Sequence, residues 1–342
     1  MSIHPVALLR VEAMNDHDAF NKDLKDLGFS DLYLEPDGSA WFKRSPSDRQ
    51  RHAIAPTRIR EVETLRRELQ VHRTGFDFRQ EWMGVDLRVQ RVDTVNGDLY
   101  VCRRLLPRPI PFEQLGYPAK LQDALLSDGF SKGGLILFTG GTGDGKSMSQ
   151  ASWLIARLRR YGGTACTIEN PVEMVLQGQH ANGEVVGTCY QTEVQTEAEY
   201  GTALQRLLRA APNVIMLGEI RSKEAAAQAV LAGMSGHIVT STLHGNDVLS
   251  TLERLKNMVR GSGLDESLIG EALAAVVHQT LSTVRFGSTE RHTLNVEPLI
   301  VAGSTSDTAI RSNLRKGDFA QLSSEILRQK RVISMASDTG RL

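Results

Sequence analysis

One stretch constrains this chain more than any other: Gly140-Gly141-Thr142-Gly143-Asp144-Gly145-Lys146-Ser147, set between an apolar run and a helical one. The run before it, Gly134-Leu135-Ile136-Leu137-Phe138-Thr139, reads as a buried strand, and Ser149 to Arg160 reads as a helix. The glycines let the backbone curl so that its N–H groups converge, and the helix N-terminus adds the positive end of a dipole. Such a cradle suits a phosphate chain. Lys146 is placed to reach β- and γ-phosphates, and the Ser147 hydroxyl to ligate Mg²⁺. The spacing G-x-x-x-x-G-K-S is a complete P-loop, so a nucleoside triphosphate and Mg²⁺ are the expected cofactors.

Length and charge narrow the partners. The chain has 342 residues, room for two domains with separate cores. Basic and acidic residues balance at 40 each, 18 against 17 up to residue 110 and 22 against 23 beyond it. Neither part carries the basic excess of a nucleic-acid binder, so no direct nucleic-acid contact is expected. The three cysteines, Cys102, Cys166 and Cys189, lie far apart, which suits reduced thiols and excludes a C-x-x-C zinc site. No apolar run approaches the length of a membrane span. The N-terminus acquires charge too early for a signal peptide. A cytoplasmic protein, peripheral at a membrane through its partners, is the expectation.

Along the chain, Asn15 to Leu27 has helical spacing with Gly28 as its stop. Residues 31–35 and 39–43 flank a Pro-Asp-Gly turn as a β-hairpin, 45–57 is a loop, and Arg58 to Val71 is an amphipathic helix. Strands at 86–92 and 99–105 flank Asn96-Gly97, a hairpin signal. Pro107-Arg108-Pro109-Ile110-Pro111 breaks regular structure, giving a first domain over 1–106, a linker over 107–113 and a second domain over 114–342. In the second, strands near 134–139, 164–168, 213–218 and 237–243 alternate with helices near 146–160, 197–210 and 223–234. That order predicts an α/β domain with a parallel sheet covered on both faces and its ligand at the strands' C-terminal ends. Beyond Asn246 the chain reads as mainly helical, apart from strands near 281–286 and 293–301.

Three further stretches carry polar residues to strand ends. Asn213 to Leu217 is a buried strand followed by Gly218-Glu219-Ile220-Arg221. Many P-loop enzymes hold an aspartate where Gly218 stands, so Glu219 is expected to act on water or on Mg²⁺ through a water. Thr167-Ile168-Glu169-Asn170-Pro171-Val172-Glu173 closes the preceding strand with two carboxylates, Glu169 and Glu173, expected to orient water or the nucleophile. Gly236 to His244 is a strand with His237 and His244 at its two ends, and His244 is the candidate sensor of the γ-phosphate.

In this order and spacing, the P-loop, Thr-Ile-Glu-Asn-Pro-Val-Glu, Leu-Gly-Glu-Ile-Arg and Gly-His-…-Ser-Thr-Leu-His resemble a family. They are similar to Walker A, the Asp box, Walker B and the His box of the PilT/GspE-like ATPases of type II/type IV secretion and type IV pili. The resemblance is close from about residue 80 onward. It reaches the N-terminal part weakly, through Ser30-Asp31-Leu32-Tyr33-Leu34-Glu35-Pro36, which in this family opens a PAS-like domain. It implies a RecA-like P-loop ATPase domain behind a small α+β PAS-like one, a homohexameric ring, and ATP bound between domains and completed by a neighbouring subunit. Inner-membrane platform or channel proteins are the implied partners. It adds Arg88 and Arg103 as phosphate-reaching arginines, and through the His box it adds His237 to the nucleotide-binding set. That set is then Gly140, Gly141, Thr142, Gly143, Asp144, Gly145, Lys146, Ser147 and His237. Asn170 departs from the family's aspartate, a four-cysteine zinc insertion is absent, and 309–316 only loosely resembles the retraction motors' Ala-Ile-Arg-Asn-Leu-Ile-Arg-Glu. These features place the chain near PilT and the DotB or TraJ ATPases. The function implied is an ATP-driven motor of a secretion, conjugation or pilus machine. The alternatives are a nucleotide-gated scaffold with little turnover and a RecA-type nucleic-acid motor.

Overall fold

The computed structural model describes residues 24–45, 48–71, 75–105, 108–196, 198–286 and 289–335. The expected first helix lies largely outside them; of it, Leu24–Asp26 form a 3₁₀ turn. The chain divides into two compact units, one over Ala7–Arg108 with Pro171–Val175, the other containing Pro109–Asn170 and Leu176 onward.

The N-terminal unit is an antiparallel sheet with a helix on one face. Its strands are β1 (Asp31–Leu34), β2 (Ala40–Lys43), β3 (His52–Ala53), β4 (Asp77–Trp82), β5 (Val85–Thr94) and β6 (Gly97–Arg104), with helix α1 (Ile59–Val71) between β3 and β4. They assemble in the order β3-β2-β1-β6-β5-β4. Alternation sends Leu32, Leu34, Phe42, Leu87, Val89, Tyr100 and Cys102 to one face, where Val62, Leu65 and Leu69 of α1 cover them. Strand β4 has no counterpart in the sequence reading, because its polar Asp-Phe-Arg-Gln-Glu stretch lacks the apolar alternation that marks a half-buried strand.

The larger unit begins with α2 (Ala119–Leu125), β7 (Gly134–Gly140), α3 (Lys146–Tyr161) and β8 (Gly163–Glu169). A hairpin of β9 (Gly178–Asn182) and β10 (Val185–Glu193) follows, then α4 (Glu199–Arg209), β11 (Val214–Leu217), α5 (Lys223–Met234) and β12 (Ile238–His244). The chain continues through α6 (Val248–Gly261), α7 (Ile269–Ala272), β13 (Leu273–Phe286), β14 (Thr289–Ile300), α8 (Asp307–Lys316) and α9 (Ser323–Ser334). Its sheet runs β14-β13-β7-β12-β11-β8-β10-β9.

Two expectations need correction here. The sheet is mixed: the strands from β13 to β10 are parallel, but β14 and β9 add antiparallel edges. Strand β13 also starts at Leu273, well before the expected 281, inside a segment read as helical. The run Leu-Ala-Ala-Val-Val is apolar without alternation, so its period does not separate a buried strand from a buried helix; contact with β7 decides it.

Packing explains why the parallel strands read so clearly. All seven residues of β7 are buried, and successive side chains serve opposite faces. Leu135 and Leu137 join the core cluster containing Ala226, Val230, Leu252 and Leu255 of α5 and α6. Phe138 points the other way, to Trp153 of α3, with ring centroids 6.4 Å apart. Trp153 is fully buried, and its indole N–H donates to the Leu125 carbonyl at 2.9 Å. The helices begin on side-chain caps where the sequence allows: Ser222 accepts from Ala225 N, and Asp247 and Ser250 form a capping box.

Gln150, on the second turn of α3, carries this packing to the strand ends. It is 1% exposed, and its amide donates to the Leu217 carbonyl at 2.8 Å, tying α3 to the last residue of β11. Gln150→Met keeps the volume and leaves that carbonyl without its buried donor. The expected loss is about 1–3 kcal/mol of stability, read as a lower urea midpoint at unchanged slope.

Candidate active site

The P-loop departs from β7 with three glycines at positive φ: Gly140 at 152°, Gly143 at 87° and Gly145 at 78°. Other residues are strained in such conformations, which explains glycine at these positions. Gly145 is the N-cap of α3 and supplies no side-chain acceptor, so no side chain caps this helix start. The N-terminal N–H groups and the dipole of α3 are therefore suited to an external anion. Lys146 is 9% exposed, and its ammonium donates to the Gly141 carbonyl at 2.6 Å. That contact holds the charge at the loop. The residues present fit a nucleotide: Gly143 to Ser147 would hold the phosphates through backbone N–H groups and Lys146, and Ser147 would ligate Mg²⁺. A bound metal would supply charge neutralisation on the phosphate oxygens.

Along the sheet the neighbouring strand ends continue the site. His244 ends β12 in register with Gly140, one strand away from the start of the loop. Its Nε2 lies 3.1 Å from Glu219 Oε1, while Arg221 Nε donates to Glu219 Oε2 at 2.7 Å. Glu219 is thus held from both sides. The segment carrying it is pinned by backbone and hydroxyl bonds: Gly218 N to Ile168 O at 2.9 Å, Ile220 N to Thr242 O at 3.0 Å, and Thr242 Oγ1 to Gly218 O at 2.8 Å. The neighbouring strand end lies within ordinary contact of Gly218. A Cβ there would stand 3.5 Å from Glu169 Cα and 3.6 Å from its Cγ.

Glu169 is 5% exposed at the end of β8. Its Oε1 accepts from the Thr167 hydroxyl at 2.6 Å and from the Gln191 amide at 2.8 Å. Nearby, the Cys189 thiol is pushed up to about 12, first by burial and then by the Glu169 carboxylate. That keeps the thiol protonated and inert.

Not every expected site residue converges here. Glu173 falls within Pro171–Val175, which groups with the N-terminal unit, so the two carboxylates of one motif belong to different compact units. Within its own unit Glu173 lies 4.0 Å from Arg88 Nη1. Arg88 also donates to both oxygens of Asp77, at 3.2 and 2.8 Å. Arg103 donates from Nε to Asp31 at 2.7 Å, and Asp31 is 2% exposed beneath it. Both arginines therefore already have carboxylate partners. His237 is placed apart from the others: it precedes β12 at the strand's N-terminal end, opposite the end carrying His244 and the P-loop, and its Nδ1 lies 2.9 Å from the Pro212 carbonyl. A seven-residue strand spans roughly 23 Å, so the structure does not bring His237 together with the P-loop of its own chain.

Sequence reasoning missed Gln150, Arg221, Thr167 and Gln191, whose side-chain hydrogen bonds orient the strand ends. Local pattern carries no signal for glutamine or threonine in such roles. Asp144 was expected only as part of the loop; its side chain instead accepts from Gly141 N at 2.6 Å and from Leu281 N at 3.0 Å.

Comparison with known proteins agrees with this geometry. The family described as type II/IV secretion system protein matches residues 66–322. The putative type II secretion system protein E of Escherichia coli K12 is 33% identical over 201 residues, covering 58% of this chain and 38% of that one. The type IV pilus assembly ATPase PilB of Thermus thermophilus is 34% identical over 208 residues, 60% of this chain and 22% of its own. The chain thus spans well under half the length of these curated relatives. Among solved structures, the pilus retraction motor PilT with bound ADP superposes with a TM-score of 0.69 at 25% identity, over 89% of this chain and 87% of that one. The Legionella pneumophila ATPase DotB superposes with a TM-score of 0.67 at 21% identity, over 90% and 85%. The fold is that of the P-loop ATPases PilT and DotB.

The register beside the loop gives a direct test. A Cβ on Gly140 would lie 2.3 Å from the Gln279 carbonyl oxygen, a backbone atom, at a φ that disfavours any side chain. Gly140→Ala is expected to displace the loop, with nucleotide affinity falling at least ~10-fold, which corresponds to about 1.4 kcal/mol. Titration with a fluorescent ADP analogue measures it; wild-type affinity would contradict the observed closeness of β13.

Proposed function

The chain belongs to the type II/IV secretion system protein family, and from that premise we propose that it is an ATP-hydrolysing motor of a secretion, conjugation or type IV pilus machine. The observation that carries the proposal is the convergence of the P-loop, His244, Glu219 and Glu169 at the ends of the consecutive strands β7, β12, β11 and β8. Ligands of open α/β sheets bind at such carboxyl ends.

In this reading Lys146 and the loop N–H groups would hold the phosphates, Ser147 would hold Mg²⁺, and Glu219 would act on water at that strand end. Glu219 and Glu169 are the carboxylates that orient and polarise the attacking water. Arg221 and His244 set the rotamer of Glu219, and His244 reports on the γ-phosphate from beside Gly140. Arg88 and Arg103 of the N-terminal unit would reach a phosphate across or within the subunit interface, and Glu173 would orient water or the nucleophile. Arg88 would exchange part of its half-exposed pairing with Asp77 at small cost, whereas Arg103 would leave Asp31, 2% exposed, at a larger one. The working form is a homohexamer, held at the inner membrane by platform or channel proteins. Among the described residues no helix is long and apolar enough to cross a membrane. The α+β N-terminal unit, with β1 and β6 central in its sheet, takes the PAS-like role. Support for a motor comes from the pilus retraction motor among the similar structures.

Turnover separates a motor from a nucleotide-gated scaffold. Lys146→Ala should lose ATPase activity while melting like wild type. Glu219→Gln should keep ATP affinity and lose at least ~10²-fold in turnover, the scale for removing a positioned base. Full turnover in Lys146→Ala, or an inactive wild type, would remove the motor reading.

Assembly is tested by concentration. Activity per subunit should rise as rings form, because an arginine acting on the transition state is worth ~10³–10⁵ in rate. Arg103→Ala mixed with Lys146→Ala should regain activity if the arginine acts in trans. Flat specific activity with no recovery on mixing would place all groups within one chain.

A further inference from the structure

An acidic residue inside an anion-binding loop is an electrostatic conflict, and Asp144 creates one here. Like charges a few ångströms apart repel, and donors that hold the carboxylate offset that cost. The structure shows how it is held. Asp144 Oδ2 accepts from Gly141 N at 2.6 Å and Oδ1 from Leu281 N at 3.0 Å, so both oxygens are engaged. The Asp144 carbonyl accepts from Gln279 Nε2 at 2.6 Å, and Gln279 Oε1 accepts from the Tyr117 hydroxyl at 2.6 Å. Gln279 is 1% exposed and Tyr117 4%. Burial pushes the Tyr117 phenol well above its usual value, so it remains a donor.

The place of this network in the fold is specific. Strand β13 pairs with β7 over Leu273–His278. From Gln279 to Phe286 its partner is β14, and the two strands continue as a ribbon past the end of β7. Gln279 and Leu281 sit at the root of that ribbon, against the P-loop. Gly140 must be glycine for the same reason, since the Gln279 carbonyl occupies the space of its Cβ.

We propose that Asp144, Gln279 and Tyr117 are positioning residues that pre-order the P-loop from outside and thereby set its affinity for the nucleotide's phosphates. The proposal rests on the phosphate-binding reading of the loop. A glycine-rich segment loses more conformational entropy on ordering than any other. Its converging N–H dipoles also repel one another until an anion arrives. A brace that meets this cost beforehand leaves more of the interaction energy for binding. The brace takes up Gly141 N and leaves the N–H groups at the start of α3 to the ligand.

The test uses the full chain, a fluorescent ADP analogue for Kd, and ATP turnover for kcat and KM. Asp144→Ala should raise Kd and KM about 10-fold, the loss of two charge-assisted hydrogen bonds outweighing the relief of charge repulsion, while kcat falls less than ~3-fold because no reacting group is touched. Asp144→Asn, which keeps one acceptor oxygen, should recover part of the affinity. Tyr117→Phe removes a single buried oxygen and should raise Kd by about 3-fold. In a Gln279→Leu background its effect should shrink to what the Tyr117–Ser149 bond contributes, because the rest acts through Gln279. A purely structural role would instead lower the melting temperature without this pattern of non-additivity. Wild-type Kd in both Asp144→Ala and Tyr117→Phe, or a Tyr117→Phe effect that adds in full to Gln279→Leu, would overturn the brace. Lys146→Ala run in parallel separates the two readings: if it too binds like wild type, the loop is not the phosphate site. If it alone loses binding, the site stands and the brace falls.

Discussion

Everything at the candidate site depends on a main chain bent through conformations that glycine alone adopts cheaply. Gly140, Gly143 and Gly145 take φ values of 152°, 87° and 78°, and a side chain at 140 would run into backbone. Such a turn is entropically expensive to order. The fold meets the cost with rigid elements at both ends: a fully buried β7 leads in, and α3, anchored by Trp153 and Gln150, leads out. The side of the loop is held as well, by Asp144 against the root of the β13 ribbon.

The parallel sheet does the rest of the positioning. Consecutive parallel strands bring their carboxyl ends to one edge, so residues more than a hundred positions apart in sequence become neighbours one strand spacing apart. Gly140 and His244 meet in this way, and Glu219 joins them through His244. Polar groups that precede or follow the strand ends make side-chain hydrogen bonds, and these orient the carboxylates. Glu169 is held by Thr167 and Gln191, and Glu219 by Arg221 and His244. In the N-terminal unit the arrangement is different: Asp31 is sunk in the sheet and Arg103 stands half exposed over it. The cationic head is the more accessible member of that pair.

Much of this was legible in the chain itself. The P-loop announced its strand and its helix, because glycine spacing and a buried apolar run are local signals that need no tertiary context. Alternating elements up to His244 matched the observed order, since parallel strands buried on both faces and helices of full length carry strong periodicity. Where the signal was weak, the reading went astray for identifiable reasons. The run from Leu273 was apolar without alternation, β4 set two aromatics among four polar residues, and the β9–β10 hairpin broke its apolar residues with glycine and polar ones.

Residue type and spacing alone singled out the candidate groups: the loop, Lys146, Ser147 and the carboxylates at strand ends. Only tertiary structure decided which of them meet. It separated His237 from His244 by the length of a strand, put Glu169 and Glu173 in different compact units, and bonded Asp144 to a strand far along the chain. The physical reason is that a motif reports on backbone conformation within a few residues. Strand register, ion pairing and hydrogen bonds across a sheet are set by packing between distant segments, where no short pattern is written.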